Sequence, residues 1–205
     1  MRNTSNSPGK LCLDFANSVN WHASDHPEES LHSYGDLVQW GLRAGVLSPR
    51  ESKRLLEAWG RSRREATRVF ERALHLREAI YRICVAHLHR QAPPAKDLDR
   101  LNRELEVAHR HLRLSGSRDG FHLVWADDAP RLDRVLWHVA RSAADLLTSA
   151  EWLSRLGQCA DDRGCGWLFL DASRNRSRRW CDIKDCGNRA KQRRHYARSH
   201  GLRSS

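Results

Sequence analysis

The strongest constraint in this sequence is the spacing of four cysteines in its last fifth. Cys159 and Cys165 are separated by five residues, Cys165 and Cys181 by fifteen, and Cys181 and Cys186 by four. Each pair offers two sulfurs from one turn, and the segment between can fold back so that all four converge, as a tetrahedral zinc site requires. The second gap lies within the two-to-four-residue range usual for such sites, and the first exceeds it by one residue. Spacing alone leaves three readings open: a metal site, two disulfides, or four unrelated buried thiols.

The residues around these cysteines carry a resemblance. Gly166-Trp167-Leu168-Phe169-Leu170-Asp171, then Ser177-Arg178-Arg179-Trp180-Cys181, then Cys186-Gly187-Asn188-Arg189 with Ala190-Lys191-Gln192-Arg193-Arg194-His195 behind it, resemble the CGNR zinc-finger family of bacterial proteins. Leu13-Asp14-Phe15-Ala16-Asn17-Ser18 is similar to the ABATE-type domain that accompanies this finger. The resemblance implies that Cys159, Cys165, Cys181 and Cys186 hold a structural Zn2+. It also implies a stress-induced bacterial transcription regulator that binds DNA.

Charge points the same way. Of a formal net charge of +11, the stretch Arg174 to Arg203 carries +9, from eleven Lys or Arg against two Asp. A nearly neutral body with a strongly basic end suits polyanion binding, and a solvated tail is the plainer alternative. No apolar run reaches the length of a membrane span, and Met1 to Lys10 lacks the apolar stretch of a signal peptide. The expectation is a cytoplasmic protein, where reduced thiols favour metal over disulfides. Cys12 and Cys84, inside apolar patterns, read as buried structural thiols.

The first 150 residues read as one mainly helical domain with a small hairpin. Residues 1 to about 9 are expected to be disordered, and Leu11 to Ser18 to form a short buried helix or strand. Asp14 and Asn17 interrupt that apolar segment, and either line a small-molecule pocket or tie down neighbouring loops. Ser33 opens a helix that closes at Gly45. Ser48-Pro49-Arg50-Glu51 has the form of a capping box with proline at the first helical position. Helical periodicity then runs from Leu55 to Pro93, divisible near Gly60 and Ser62, and resumes from Pro94 to Ala108. His111 to Leu114 and Phe121 to Trp125 alternate like hairpin strands around a turn at Ser115 to Gly120, and Leu132 to Leu147 returns to helical spacing.

The finger is assigned to residues 151–205. Gly166 to Leu170 is expected to be a strand whose Trp167 and Phe169 share a face and form a small core separate from that of residues 1–150. Asn188 to Arg198 contains no helix breaker. Arg189 and Arg193 share one face, Arg194 and Arg198 another, and Lys191 with His195 a third. With Arg178 and Arg179 before the third cysteine, these are the expected nucleic-acid contacts, Arg189 and Arg193 reading bases. The function class this supports is a zinc-finger DNA-binding regulator. A structured-RNA or ribosome-binding protein is the alternative. A small-molecule effector at Asp14 and Asn17 is a further reading; an enzyme there ranks below it, since no nucleophile with a base, phosphate loop or open metal site appears. Oligomeric state and effector are not legible.

Overall fold

The computed structural model describes residues 9–125 and 129–199, with backbone only at Arg194 and Ala197. The disorder expected for residues 1 to 9 falls, apart from buried Gly9, outside that range. Helices account for 56% of the structure, so the chain is mainly α with small antiparallel strand pairs.

Among the described residues, side-chain caps start three of the helices. Ser33 accepts a hydrogen bond from the Asp36 N–H at the head of α1's successor, α2 (Tyr34–Arg43), the first element being α1 (Lys10–Ala16). Ser48 and Glu51 complete the capping box of α3 (Pro49–Arg61), satisfying two otherwise orphaned N–H groups. Ser62 breaks the long periodic stretch into α3 and α4 (Arg63–Leu88). Next come α5 (Ala95–Arg110), α6 (Arg134–Leu147) and α7 (Ala150–Leu153).

Helix α4 is the axis of the core. Its Val69, Ala73, Leu76, Ile80 and Ile83 are buried among Cys12, Phe15 and Ala16 of α1 and Val135, Val139 and Ala143 of α6. Cys12 and Cys84 are 0% and 1% exposed, and burial pushes the Cys84 thiol up to about 12, so both act as small apolar side chains. A short pair, β1 (Val19–Asn20) and β2 (Glu28–Glu29), brackets the loop Trp21 to Pro27. Buried Arg77 of α4 fixes β2 through two bonds of 2.7 Å to the Glu29 carboxylate. The hairpin β3 (Leu112–Ser117) and β4 (Gly120–Trp125) is tighter than its sequence suggests. Ser117 pairs with Gly120, leaving Arg118 and Asp119 alone in the turn, so Ser115 to Ser117 are strand rather than loop.

The largest difference from the sequence reading lies in the hairpin β5 (Leu156–Gln158) and β6 (Leu168–Leu170). Alternation does separate two faces. Trp167 packs on the cysteines, as expected, but Leu168 and Leu170 on the other face join the core of the helical body, together with Leu156. Phe169 sits against Gly157 and under the Arg178 guanidinium, 4.4 Å from its ring centre, rather than in a finger core. The expectation of separate cores is thereby corrected: a strand buried on both faces cannot serve one side only. Asn17 seals the junction. Its side-chain amide donates to the Leu168 carbonyl at 2.8 Å, and its oxygen accepts from the Leu168 N–H at 2.9 Å.

This shared core makes a mutational prediction. Leu168, 2% exposed, lies six residues before the basic stretch yet packs in the body. Leu168→Ala should lower the stability of the helical body by about 2–5 kcal/mol, read as a shift of the urea midpoint followed by helical circular dichroism. A separate finger core would leave that midpoint unmoved.

Candidate metal centre and basic helix

The four cysteine sulfurs converge within 4.8 Å of one another, and Cys159, Cys165 and Cys186 are buried. Two separations, 3.7 Å for Cys165 to Cys181 and 3.5 Å for Cys181 to Cys186, approximate the edge of a tetrahedron around zinc, roughly 3.8 Å for Zn–S bonds of about 2.3 Å. Four thiols so close cannot all ionise unaided. Hydrogen bonds from Cys165 and Cys181 hold the Cys159 thiol far below its ordinary range, while burial pushes Cys186 up to about 12. A soft divalent cation resolves that conflict, and this donor set fits Zn2+ with no fourth position left for water.

Local structure explains how each pair reaches the site. Cys159 leaves β5, its N–H bonded to the Trp167 carbonyl at 2.8 Å. The following loop needs its extra residue because it turns Asp161 inward before returning to Cys165. Gly164 and Gly166 there have φ of 85° and 68°, and a Cβ on either would lie 2.6 Å from Ser24 or Ala23. Side chains rarely adopt such dihedrals, so glycine is required twice over. The close approach is used: the His22 and Ala23 N–H groups donate to the Cys165 and Gly164 carbonyls at 3.2 and 3.1 Å. Of the second pair, Cys181 precedes and Cys186 lies within a π-helical turn, Ile183–Gly187, which leads directly into the basic helix α8 (Asn188–Ser199).

Asp161, which sequence inspection passed over, is the hub beside the sulfurs. Its side chain is fully buried and accepts from the Arg163 N–H at 3.1 Å and from Arg193 at 3.0 Å, with the Arg189 Nε 3.4 Å away. Burial alone would raise this carboxyl; the backbone N–H, Cys186 and Arg193 together bring it below the usual range. Arg189 also donates to the Cys186 sulfur at 2.9 Å and pairs with Asp185 at 2.5 Å. Arg189 and Arg163 each stand 5.1 Å from the ring centre of Trp21, which holds a φ of 54°. A bulky residue with left-handed backbone marks a locally constrained position. The only sequence signal for Asp161 was a cysteine gap too long for its ligands alone.

The structure therefore divides the expected nucleic-acid contacts. Arg189 and Arg193 point inward to acids, and Arg193 also meets Asp162. Arg178 is spent on the Trp180 and Cys181 carbonyls, the former at 2.9 Å. The two arginines expected to read bases are thus engaged within the protein, Arg189 by Asp185 and the Cys186 sulfur and Arg193 by Asp161 and Asp162. Arg179, Lys191 and Arg198 are exposed, as are Arg174, Arg176 and Lys184. The Arg194 side chain lies outside the described residues. Asp14 and Asn17 do not share a pocket: Asp14 pairs with Lys10 at the mouth of a surface cavity, whereas Asn17 is the amide clamp on Leu168.

Two family models match the sequence. Residues 9–150 match ABATE, described as "Putative stress-induced transcription regulator", and residues 155–199 match the CGNR zinc finger. No curated protein matches the chain.

Two outcomes follow from the site's geometry. Elemental analysis should find one zinc per chain, and Cys165→Ser should abolish stoichiometric retention. Asp161→Asn keeps the size of the side chain but removes the charge that orients both arginines. It should weaken zinc retention against a competing chelator by about 10- to 100-fold, whereas an idle surface carboxylate would leave the exchange curve unchanged.

Proposed function

The chain belongs to the ABATE family and carries a CGNR zinc finger, and from that premise we propose that it is a transcription regulator whose zinc-organised helix α8 binds duplex DNA. The observation that carries this reading is the division of α8 into two faces. Arg189 and Arg193 are pinned inward by Asp161. At 100° per residue, Lys191, His195 and Arg198 then share the opposite, solvent-facing side. A helix of 12 residues is roughly 18 Å long and fits the major groove of B-form DNA, whereas the deep, narrow major groove of A-form RNA excludes it.

Zinc has a structural role in this reading. Bound by Cys159, Cys165, Cys181 and Cys186, it would supply the charge that keeps the four thiolates together; the protein side chains do the rest. Asp161 orients Arg189, Arg189 holds Cys186, and α8 is aimed as a rigid element. Arg174, Arg176, Arg179 and Lys184 extend the positive surface to backbone phosphates, which position the protein without reading sequence. A closed four-thiolate site offers no place for a reacting water, so we assign no catalysis. Among the described residues no helix is long and apolar enough to cross a membrane.

Salt dependence tests the proposal. Five or six phosphate contacts predict a log–log slope of about −5 for duplex binding, and Lys191→Gln should flatten it by about 0.9 if Lys191 meets a phosphate. If Arg179→Gln with Lys191→Gln leaves affinity and slope unchanged, the basic surface is only solvated. If structured RNA outcompetes duplex DNA at the same salt, the partner is RNA.

A further inference from the structure

The helical body carries a second positive feature, remote in sequence from the finger and independent of the reading above. A cleft of about 720 Å3 opens between α4, α5 and the segment leading into α6. Arg72 and His75 come from α4, Arg100, Arg103 and Arg110 from α5, and Arg131 from the approach to α6. On α5 the spacing of Arg100, Arg103, Val107 and Arg110 places them along one helical face, so the stripe is built into the sequence. Five arginines line the cleft with two carboxylates, Glu104 and Asp133, although the body as a whole is nearly neutral; Arg110, at one end, is paired with Glu106.

Both carboxylates are already engaged. Glu104 takes the Arg72 fork in a two-pronged pair at 3.0 and 2.7 Å, and Asp133 lies 3.7 Å from the same guanidinium. These acids are buried, so they fix Arg72 at the cleft wall rather than neutralising its rim. Arg100 and Arg103 have no ion-pair partner among the described residues. Concave walls of one sign focus the field on an incoming anion, and convergent guanidinium forks match phosphate oxygens better than they match a single chloride. The opening is far larger than bare phosphate needs and falls within the range of small-ligand sites. One wall is flat and partly apolar, formed by Val107 and by His111 stacked on Trp137 at 4.1 Å between ring centres.

We infer that this cleft is a binding site for a small phosphate-bearing ligand of nucleoside-phosphate size, held by Arg100 and Arg103 with Arg72 behind them. The test is calorimetric titration of the full-length zinc-loaded protein with ATP, pyrophosphate and adenosine. ATP and pyrophosphate should bind once per chain and adenosine should not. Arg100→Gln with Arg103→Gln should weaken both by about tenfold or more, with an unchanged melting temperature and unchanged affinity for duplex DNA. Lys191→Gln, on the finger, should leave ATP binding intact. Absence of binding, or binding indifferent to the α5 pair, overturns the proposal. So does a double variant that loses duplex affinity while wild-type protein ignores ATP, since the cleft would then hold a nucleic-acid phosphate. Failure of the finger's DNA binding alone would leave this site untouched.

Discussion

Four sulfur atoms within 4.8 Å of one another cannot all carry charge without a cation between them. Like charges about 4 Å apart repel by roughly 4 kcal/mol even at an effective dielectric near 20. The chain answers this in two layers. The donor set suits a divalent metal, and the Arg189 guanidinium lies against Cys186 to offset thiolate charge from outside. Asp161 then balances Arg189 and Arg193, so that the helix following the last cysteine is fastened to the knuckle containing the first. Without the cluster, Asp161 would be a buried carboxylate beside mobile arginines, an arrangement with a large desolvation cost.

The metal centre is also built onto the body rather than suspended from it. Trp21 stands beside Arg163 and Arg189, while its neighbours His22 and Ala23 donate to the backbone of the first knuckle. His22 is held in turn by Glu78 at 2.9 Å and by stacking on Tyr81 at 3.7 Å between centres. Gln158 of β5 donates to the Tyr81 hydroxyl at 2.8 Å. Helix α4 therefore touches the finger through side chains while forming the axis of the hydrophobic core. A small module that buries little apolar surface gains a rigid platform in this way, and the orientation of α8 is set by the whole molecule.

Much of this was legible in the sequence, for physical reasons. Helical periodicity reports burial of one face, and it located α4, α5 and α6. Ser48 and Glu51 announced a cap because that chemistry is local. The cysteines announced a site because thiols at such spacing have few other uses. What escaped was settled by tertiary partners. Alternation put Trp167 and Phe169 on one face of β6, but could not show that the opposite face, Leu168 and Leu170, meets the body. Charge counting treated Arg178, Arg189 and Arg193 as available, since a count does not reveal a buried acceptor such as Asp161 or a carbonyl such as that of Trp180. For Asn17 the sequence left a pocket and a structural tie both open, because an amide amid apolar neighbours needs partners wherever they lie; its partners are backbone groups 151 residues away, which no local pattern could name.

The central claim is that the metal knuckle, the Trp21 loop and α8 form one mechanical unit. Hydrogen–deuterium exchange of zinc-loaded protein before and after chelation measures this directly. The account predicts that metal removal accelerates exchange at His22 and Ala23 together with Cys159 to Ser199, while the buried amides of α4 and α6 stay protected. Acceleration confined to Cys159 to Ser199, with His22 and Ala23 unchanged, would contradict it and show a finger folded independently of the body.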